Sequence, residues 1–171
     1  MVVAETGAVS SVVMAGALGD DLVMGDSDQF SLVQALRSSD PDVRDAAVSA
    51  LQGSTITNGL AAQNLISLLQ NSDPELRNAA ARALRGATIT NDLAVQRLIS
   101  LLEGGDPDVR DAAVSALQGS TITNGLAAQR LISLLQISDP DLQKAAASAL
   151  EGTTITDPLA AQTLAMVRGR F

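Results

Sequence analysis

The chain of 171 residues carries 11 basic and 19 acidic side chains, lacks His, Cys, Trp and Tyr, and has two aromatics, Phe30 and Phe171. Without Cys there is no disulfide or thiolate nucleophile, and without His the usual imidazole base and the commonest zinc ligand are missing. A net charge of −8 repels phosphate backbones and anionic bilayers alike, so neither nucleic acid nor membrane is expected as a partner, and no cofactor or metal is indicated.

With 46% hydrophobic and 18% charged residues the chain can bury a core. The apolar stretch from Val9 to Leu18 follows Glu5, and the first basic residue is Arg37, so the positive start of a secretory signal is missing. The stretch is also too short, and too rich in Gly and Ser, to span a bilayer. A cytoplasmic setting is the expectation. Met1 to Thr6 read as loose, and Gly19 to Asp28 as a solvated acidic loop holding Asp20, Asp21, Asp26 and Asp28. Their spacing is not that of an EF-hand, so no metal site is assigned.

From Asp40 onward a unit recurs every 33 residues, marked by Asp-Pro and an acidic residue at Asp40, Asp73, Asp106 and Asp139. The copies are 40–72, 73–105, 106–138 and 139–171. The first and third differ at two positions, Asn64 against Arg130 and Asn71 against Ile137. Residues 1–39 carry a degenerate copy that serves as an N-terminal capping repeat. In it Ala17-Leu18-Gly19 stand near the end of a first helix, and Leu32 to Leu36 align with Leu65 to Leu69.

Each unit reads as two helices. Asp40 is an N-cap, Pro41 suits the first helical position, and Asp42 adds negative charge where the helix dipole favours it. Val43, Ala46, Ala47, Ala50 and Leu51 share the apolar face, and Gly53 stands where a left-handed turn ends the helix. The aspartates before proline could be imagined as paired carboxylates for acid–base work, but capping consumes them. After a Ser-Thr-Ile-Thr linker the second helix starts at Asn58, Asn91, Asn124 and Asp157, the last of these before Pro158. Leu60, Ala61, Leu65, Ile66, Leu68 and Leu69 are expected to form its apolar stripe, and Ile56 to tuck into the core.

Two polar rows follow from the repetition. Arg44, Arg77 and Arg110, with Gln143 breaking the series, lie beside the first-helix stripe and read as a ladder bridging repeats, or alternatively as a row gripping an acidic partner. On the polar side of the second helix stand Gln63, Asn64 and Ser67, then Gln96, Arg97 and Ser100, then Gln129, Arg130 and Ser133. These nine residues are the candidate partner-binding strip. Four repeats at helix spacings of about 8–10 Å span on the order of 40 Å, enough for the roughly 800 Å² per side of a standard interface. At the end of the chain Arg168 replaces the apolar residue that would meet a further repeat, as a terminal cap requires.

At Asp106-Pro107-Asp108-Val109-Arg110-Asp111-Ala112-Ala113-Val114-Ser115-Ala116-Leu117 the sequence resembles the short HEAT-like repeats of phycobilin lyase subunits and bacterial scaffold proteins. The likeness covers about three quarters of the chain. It departs in the linker, where Thr-Ile-Thr-Asn replaces that family's Gly-Asp-Pro turn. The ankyrin Thr-Pro-Leu-His is absent, and the aromatic pattern of tetratricopeptide repeats cannot be met.

The resemblance implies an all-α, right-handed α-solenoid whose second helices line the concave surface. The function expected is a non-catalytic protein or peptide-binding scaffold, with Arg97 and Arg130 as electrostatic anchors. A self-assembling array or spacer joined through terminal repeats is the alternative. A lyase-like subunit is a third reading, disfavoured because no nucleophile, base and orienting group can be assembled here.

Overall fold

The computed structural model describes residues 25–169. Helix α1 spans Asp26–Ala35, and four helix pairs follow, each with a two-residue strand in its linker. They are α2 (Pro41–Leu51), β1 (Thr55–Ile56) and α3 (Gly59–Leu68); then α4 (Pro74–Leu84), β2 (Thr88–Ile89) and α5 (Asp92–Leu102). Next come α6 (Pro107–Leu117), β3 (Thr121–Ile122) and α7 (Gly125–Leu134), and finally α8 (Pro140–Ala149), β4 (Thr154–Ile155) and α9 (Pro158–Arg168).

Every predicted cap is made. The carboxylates of Asp40, Asp73, Asp106 and Asp139 accept from the backbone N–H two residues on, and Asn58, Asn91, Asn124 and Asp157 accept from the N–H three residues on. Each such cap contributes about 1 kcal/mol. The first helices end at Gly53, Gly86, Gly119 and Gly152, all with φ between 70° and 73°, a region open to glycine at little steric cost. Asp26 and Asp28 correct one expectation, because both lie in the first turn of α1 rather than in a loop. Asp20, Asp21 and the Ala17-Leu18-Gly19 signature fall outside the described residues.

The core is aliphatic. First helices meet first helices through alanines, Ala47, Ala80, Ala83, Ala113, Ala116, Ala146 and Ala149, all fully buried, while the second helices contribute Leu65, Ile66, Leu98, Ile99, Leu131 and Ile132. Leu32 and Val33 of α1, and Leu36 just after it, are fully buried in this core, as their alignment with Leu65, Ile66 and Leu69 implies.

The linkers hold what a helix-based reading does not anticipate. The four Thr-Ile pairs form a parallel sheet in the order β1-β2-β3-β4, with Thr55 opposite Thr88, Thr88 opposite Thr121 and Thr121 opposite Thr154. The Thr88 N–H donates to the Ser54 carbonyl (2.9 Å), and the Thr154 N–H to Ser120 (2.9 Å). In the other direction the Gly53 N–H donates to Arg85 (3.3 Å) and that of Gly86 to Gln118 (3.2 Å). The β-branched isoleucines point inward, with Ile56, Ile89 and Ile122 at 3% exposure or less. Ile56 is thus in the core, as expected, but as a rung of a ladder.

The first edge of this ladder is closed by a side chain. Gln29 of α1 is fully buried; its amide Nε2 donates to the Thr55 carbonyl (3.1 Å), and its Oε1 accepts from the N–H groups of Thr57 (3.1 Å) and Asn58 (2.9 Å). One carboxamide, holding a donor and an acceptor in one plane, stands in for the strand of a preceding repeat. Replacing Gln29 by Leu leaves three part-buried backbone groups without that partner, each costing at most about 1–3 kcal/mol. The expected outcome is a lower urea midpoint and loss of hydrogen-exchange protection confined to Thr57 and Asn58, with the Thr121 and Thr154 amides unchanged.

Candidate functional site

On an α-helix residues seven apart fall close to one line, and residues three or four apart are neighbours. In α3 this puts Leu60, Gln63, Asn64 and Ser67 on one exposed face, opposite the buried Ala61, Leu65, Leu68, Ala62 and Ile66. The same face recurs in α5 and α7, with α5 packed between α3 and α7. The structure therefore assembles the nine sequence-predicted residues into rows running across successive second helices.

The members of these rows differ in how free they are. The Ser67 hydroxyl donates to the Gln63 carbonyl (2.8 Å), Ser100 to Gln96 (2.9 Å) and Ser133 to Arg130 (2.7 Å), so each spends its hydrogen within its own helix. These serines keep only lone pairs to offer. Gln63, Gln96, Gln129 and Asn64 are half-buried, and among the described residues their side chains make no hydrogen bond. Arg97 is exposed and forms no ion pair within the described residues, whereas Arg130 pairs with Glu103 at the end of α5.

One expectation is corrected. Leu60 does not join the apolar stripe; it is 66% exposed, and its equivalents Leu93, Leu126 and Leu159 are 67%, 73% and 60% exposed. The reason is angular: Leu60 lies seven residues before Ser67 and four before Asn64, on the polar side of the helix. Helical position, which the sequence itself supplies, outweighs apolar character at this residue. The face is therefore an apolar row at the helix starts, an amide and arginine row one turn on, and a serine row beyond. The contrast can be measured: Leu98→Ala should lower the unfolding free energy by about 2–5 kcal/mol, and Leu93→Ala by less than about 0.5 kcal/mol, in urea titrations followed by circular dichroism.

The arginines of the first helices have partners inside the chain. Arg44 Nη1 donates to the Ser38 carbonyl (2.8 Å) and Arg77 Nη1 to Asn71 (2.8 Å), while Arg110 Nη2 donates to Gly104 (2.9 Å) and Gln143 Nε2 to Ile137 (2.6 Å). Each thus grips the loop six residues upstream. Arg44 reaches on to Glu75 (2.9 Å) and Arg77 to Asp108 (3.3 Å), bridging repeats, but Arg110 instead turns its Nε to the Leu102 carbonyl (3.1 Å). The carboxylates of Glu75 and Asp108 are over 70% exposed, so these ion pairs add little, about 0–1 kcal/mol, beside about 1.5–3 kcal/mol for a charged group on a carbonyl. Arg77→Ala should accordingly destabilise the chain more than Asp108→Asn, and the gap should persist at 1 M salt, where the Debye length falls to about 3 Å.

A depression of about 460 Å³ lies on the last repeat, lined by residues including Leu135, Leu150, Val167, Lys144 and Arg168, away from these rows. It presents no carboxylate or hydroxyl beside its two cations, and among the described residues no three acidic side chains are grouped to hold a metal. No helix of the described residues is long and apolar enough to cross a membrane.

The sequence profile of HEAT repeats matches residues 31–118 and 95–169. Among curated proteins no sequence matches. Similar solved structures include an engineered protein, 25% identical over 85% of this chain and 69% of its own, with a TM-score of 0.40. A homology model of the AP-3 complex in an intermediate open conformation is 17% identical over 99% of this chain and 31% of its own, at a TM-score of 0.53. A designed armadillo repeat protein in complex with the peptide (KR)4 is 16% identical over 96% of this chain and 82% of its own, at 0.42.

Proposed function

The chain belongs to the HEAT repeats family, a helical repeat scaffold, and from that premise we propose that it is a non-catalytic protein-interaction module that binds a protein or peptide along the exposed face of its second helices. The observation that carries this reading is the in-register alignment of Gln63 and Asn64, Gln96 and Arg97, and Gln129 and Arg130 into a continuous row whose amides make no hydrogen bond among the described residues. Arg97 and Arg130 are the electrostatic anchors. Arginine is one of the side chains that supply interface hot spots. The resemblance puts this face on the concave side of the stack, and a cytoplasmic setting goes with the reading.

The alternative is a structural array joined end to end. Both ends speak against a continuous stack: Gln29 already fills the first ladder edge, and Arg168 stands where Leu69, Leu102 and Leu135 stand, with Nη2 at 3.5 Å from the Leu150 carbonyl. Light scattering behind size-exclusion chromatography, read by refractive index, is expected to give a constant monomer mass over a wide concentration range. In pull-downs Arg97→Glu with Arg130→Glu should abolish capture of the partner while leaving the urea midpoint within error. Growth of mass with concentration that ignores both substitutions would favour the array.

A further inference from the structure

We propose that Leu60, Leu93, Leu126 and Leu159 form the apolar half of this interaction face, and that the face docks an extended partner segment in which apolar side chains alternate with carboxylates. The inference rests on the reading above and specifies the partner's chemistry. Four large apolar side chains, 60–73% exposed, occupy the same position in four repeats. Leucines exposed singly would need no explanation, but contiguous apolar patches mark interaction sites.

These four are contiguous because of where they sit. Each directly follows the first residue of a second helix, beside a ladder whose strands lie about 4.8 Å apart. A Cβ built on Gly59 would lie 2.8 Å from the Asn91 side chain, and one on Gly125 would lie 2.8 Å from Asp157, so at these two helix starts the capping side chain of the next repeat packs against the glycine. The leucines one residue further along follow the same register, in an array whose ladder strands lie about 4.8 Å apart and whose packed helices lie about 8–10 Å apart. An extended chain presents alternate side chains about 6.6–7 Å apart, one per repeat, within that interval.

Charge selects the partner. Leu93 and Arg97, and likewise Leu126 and Arg130, are four residues apart on one helix face, so an arginine lies one turn beyond each of the two central leucines. Arg97 has no carboxylate partner among the described residues, and Arg130 has Glu103. The chain's overall −8 does not cancel this, because at physiological ionic strength charges beyond about 8 Å are screened while those at contact are not. An apolar side chain next to a carboxylate satisfies both halves of the face at once.

The test uses the full chain and a fluorescein-labelled peptide of roughly a dozen residues alternating leucine and glutamate, with leucine-to-serine and glutamate-to-lysine versions, read by anisotropy in physiological salt. The leucine–glutamate peptide is expected to bind saturably, and Leu93→Ser with Leu126→Ser to weaken it about tenfold or more, as should the serine peptide. The substituted leucines are exposed, so the variant is expected to keep the wild-type circular dichroism spectrum and urea midpoint, which are measured alongside. Binding lost on substituting Arg97 and Arg130 by Glu but not on substituting the leucines would overturn this inference and leave the interaction reading standing. Loss with the leucines alone would do the reverse to the arginine anchors and remove the acidic partner with them. Absence of saturable binding, or tighter binding of the lysine peptide, also overturns it. So does a wild-type dimer that dissociates in the leucine variant, which would assign the row to a second copy.

Discussion

A two-residue parallel strand repeated four times sets the geometry on which everything else depends. Helix-to-helix packing tolerates some sliding and a spread of spacings, but a hydrogen-bonded ladder fixes both separation and register. Pairing Thr55 with Thr88, Thr121 and Thr154 means that position n of one repeat lies beside position n of the next along the whole array. Rows of identical side chains then follow with no further requirement. The leucine, amide and serine rows, the alanine seam and the arginine grips are all consequences of that one register. The ladder also explains the glycines. Gly86 stacks on Gly53, and a Cβ there would meet the Gly53 Cα at 3.7 Å while the φ of 73° already disfavours any side chain.

Such a ladder needs its ends managed, since an open strand edge invites uncontrolled pairing. The two ends are treated differently. At the first, Gln29 uses a side-chain amide to imitate a strand, a solution that is specific because it must offer a donor and acceptors at the right places at once. At the last repeat, Arg168 stands where the three preceding repeats have Leu69, Leu102 and Leu135, and its Nη2 lies 3.5 Å from the Leu150 carbonyl. In a linear array, stability is approximately a sum of repeat and neighbour terms. Closing the first edge therefore protects the repeats behind it, which have no aromatic side chain with which to reinforce themselves.

Most of the helical architecture was legible in the sequence. Asp-Pro and Asn/Asp caps, the glycine stops and the alanine and leucine periodicity each have a local physical cause, and each produces the expected element. What was not legible is what depends on a partner far away in sequence. Two-residue strands show no periodicity, and their crossovers run through a pair of helices, so only the recurrence of Thr-Ile-Thr hinted at pairing. Gln29 looks like an ordinary polar residue in a degenerate repeat until residues 26 to 29 positions away close around it. Leu60 is a different case, in which hydrophobicity and helical phase disagreed and phase prevailed.

The division of labour within a repeat follows from the same geometry. Residues 40–72 and 106–138 have the same residue at every core, cap and ladder position, and their two differences fall outside the core. Asn71 accepts from the Asp73 N–H (2.9 Å), and its replacement Ile137 is exposed in the same loop. Asn64 becomes Arg130, adding a charge to the second-helix face and an ion pair to Glu103, with no change to the helix beneath. A fold whose register is held by backbone at one edge and by alanine and leucine inside can thus change the chemistry of a whole row one side chain at a time. The row occupied by Asn64, Arg97, Arg130 and Thr163 differs from repeat to repeat, next to a row of four identical leucines. Constant apolar anchors beside a variable polar row give affinity and selectivity separate physical origins on one surface.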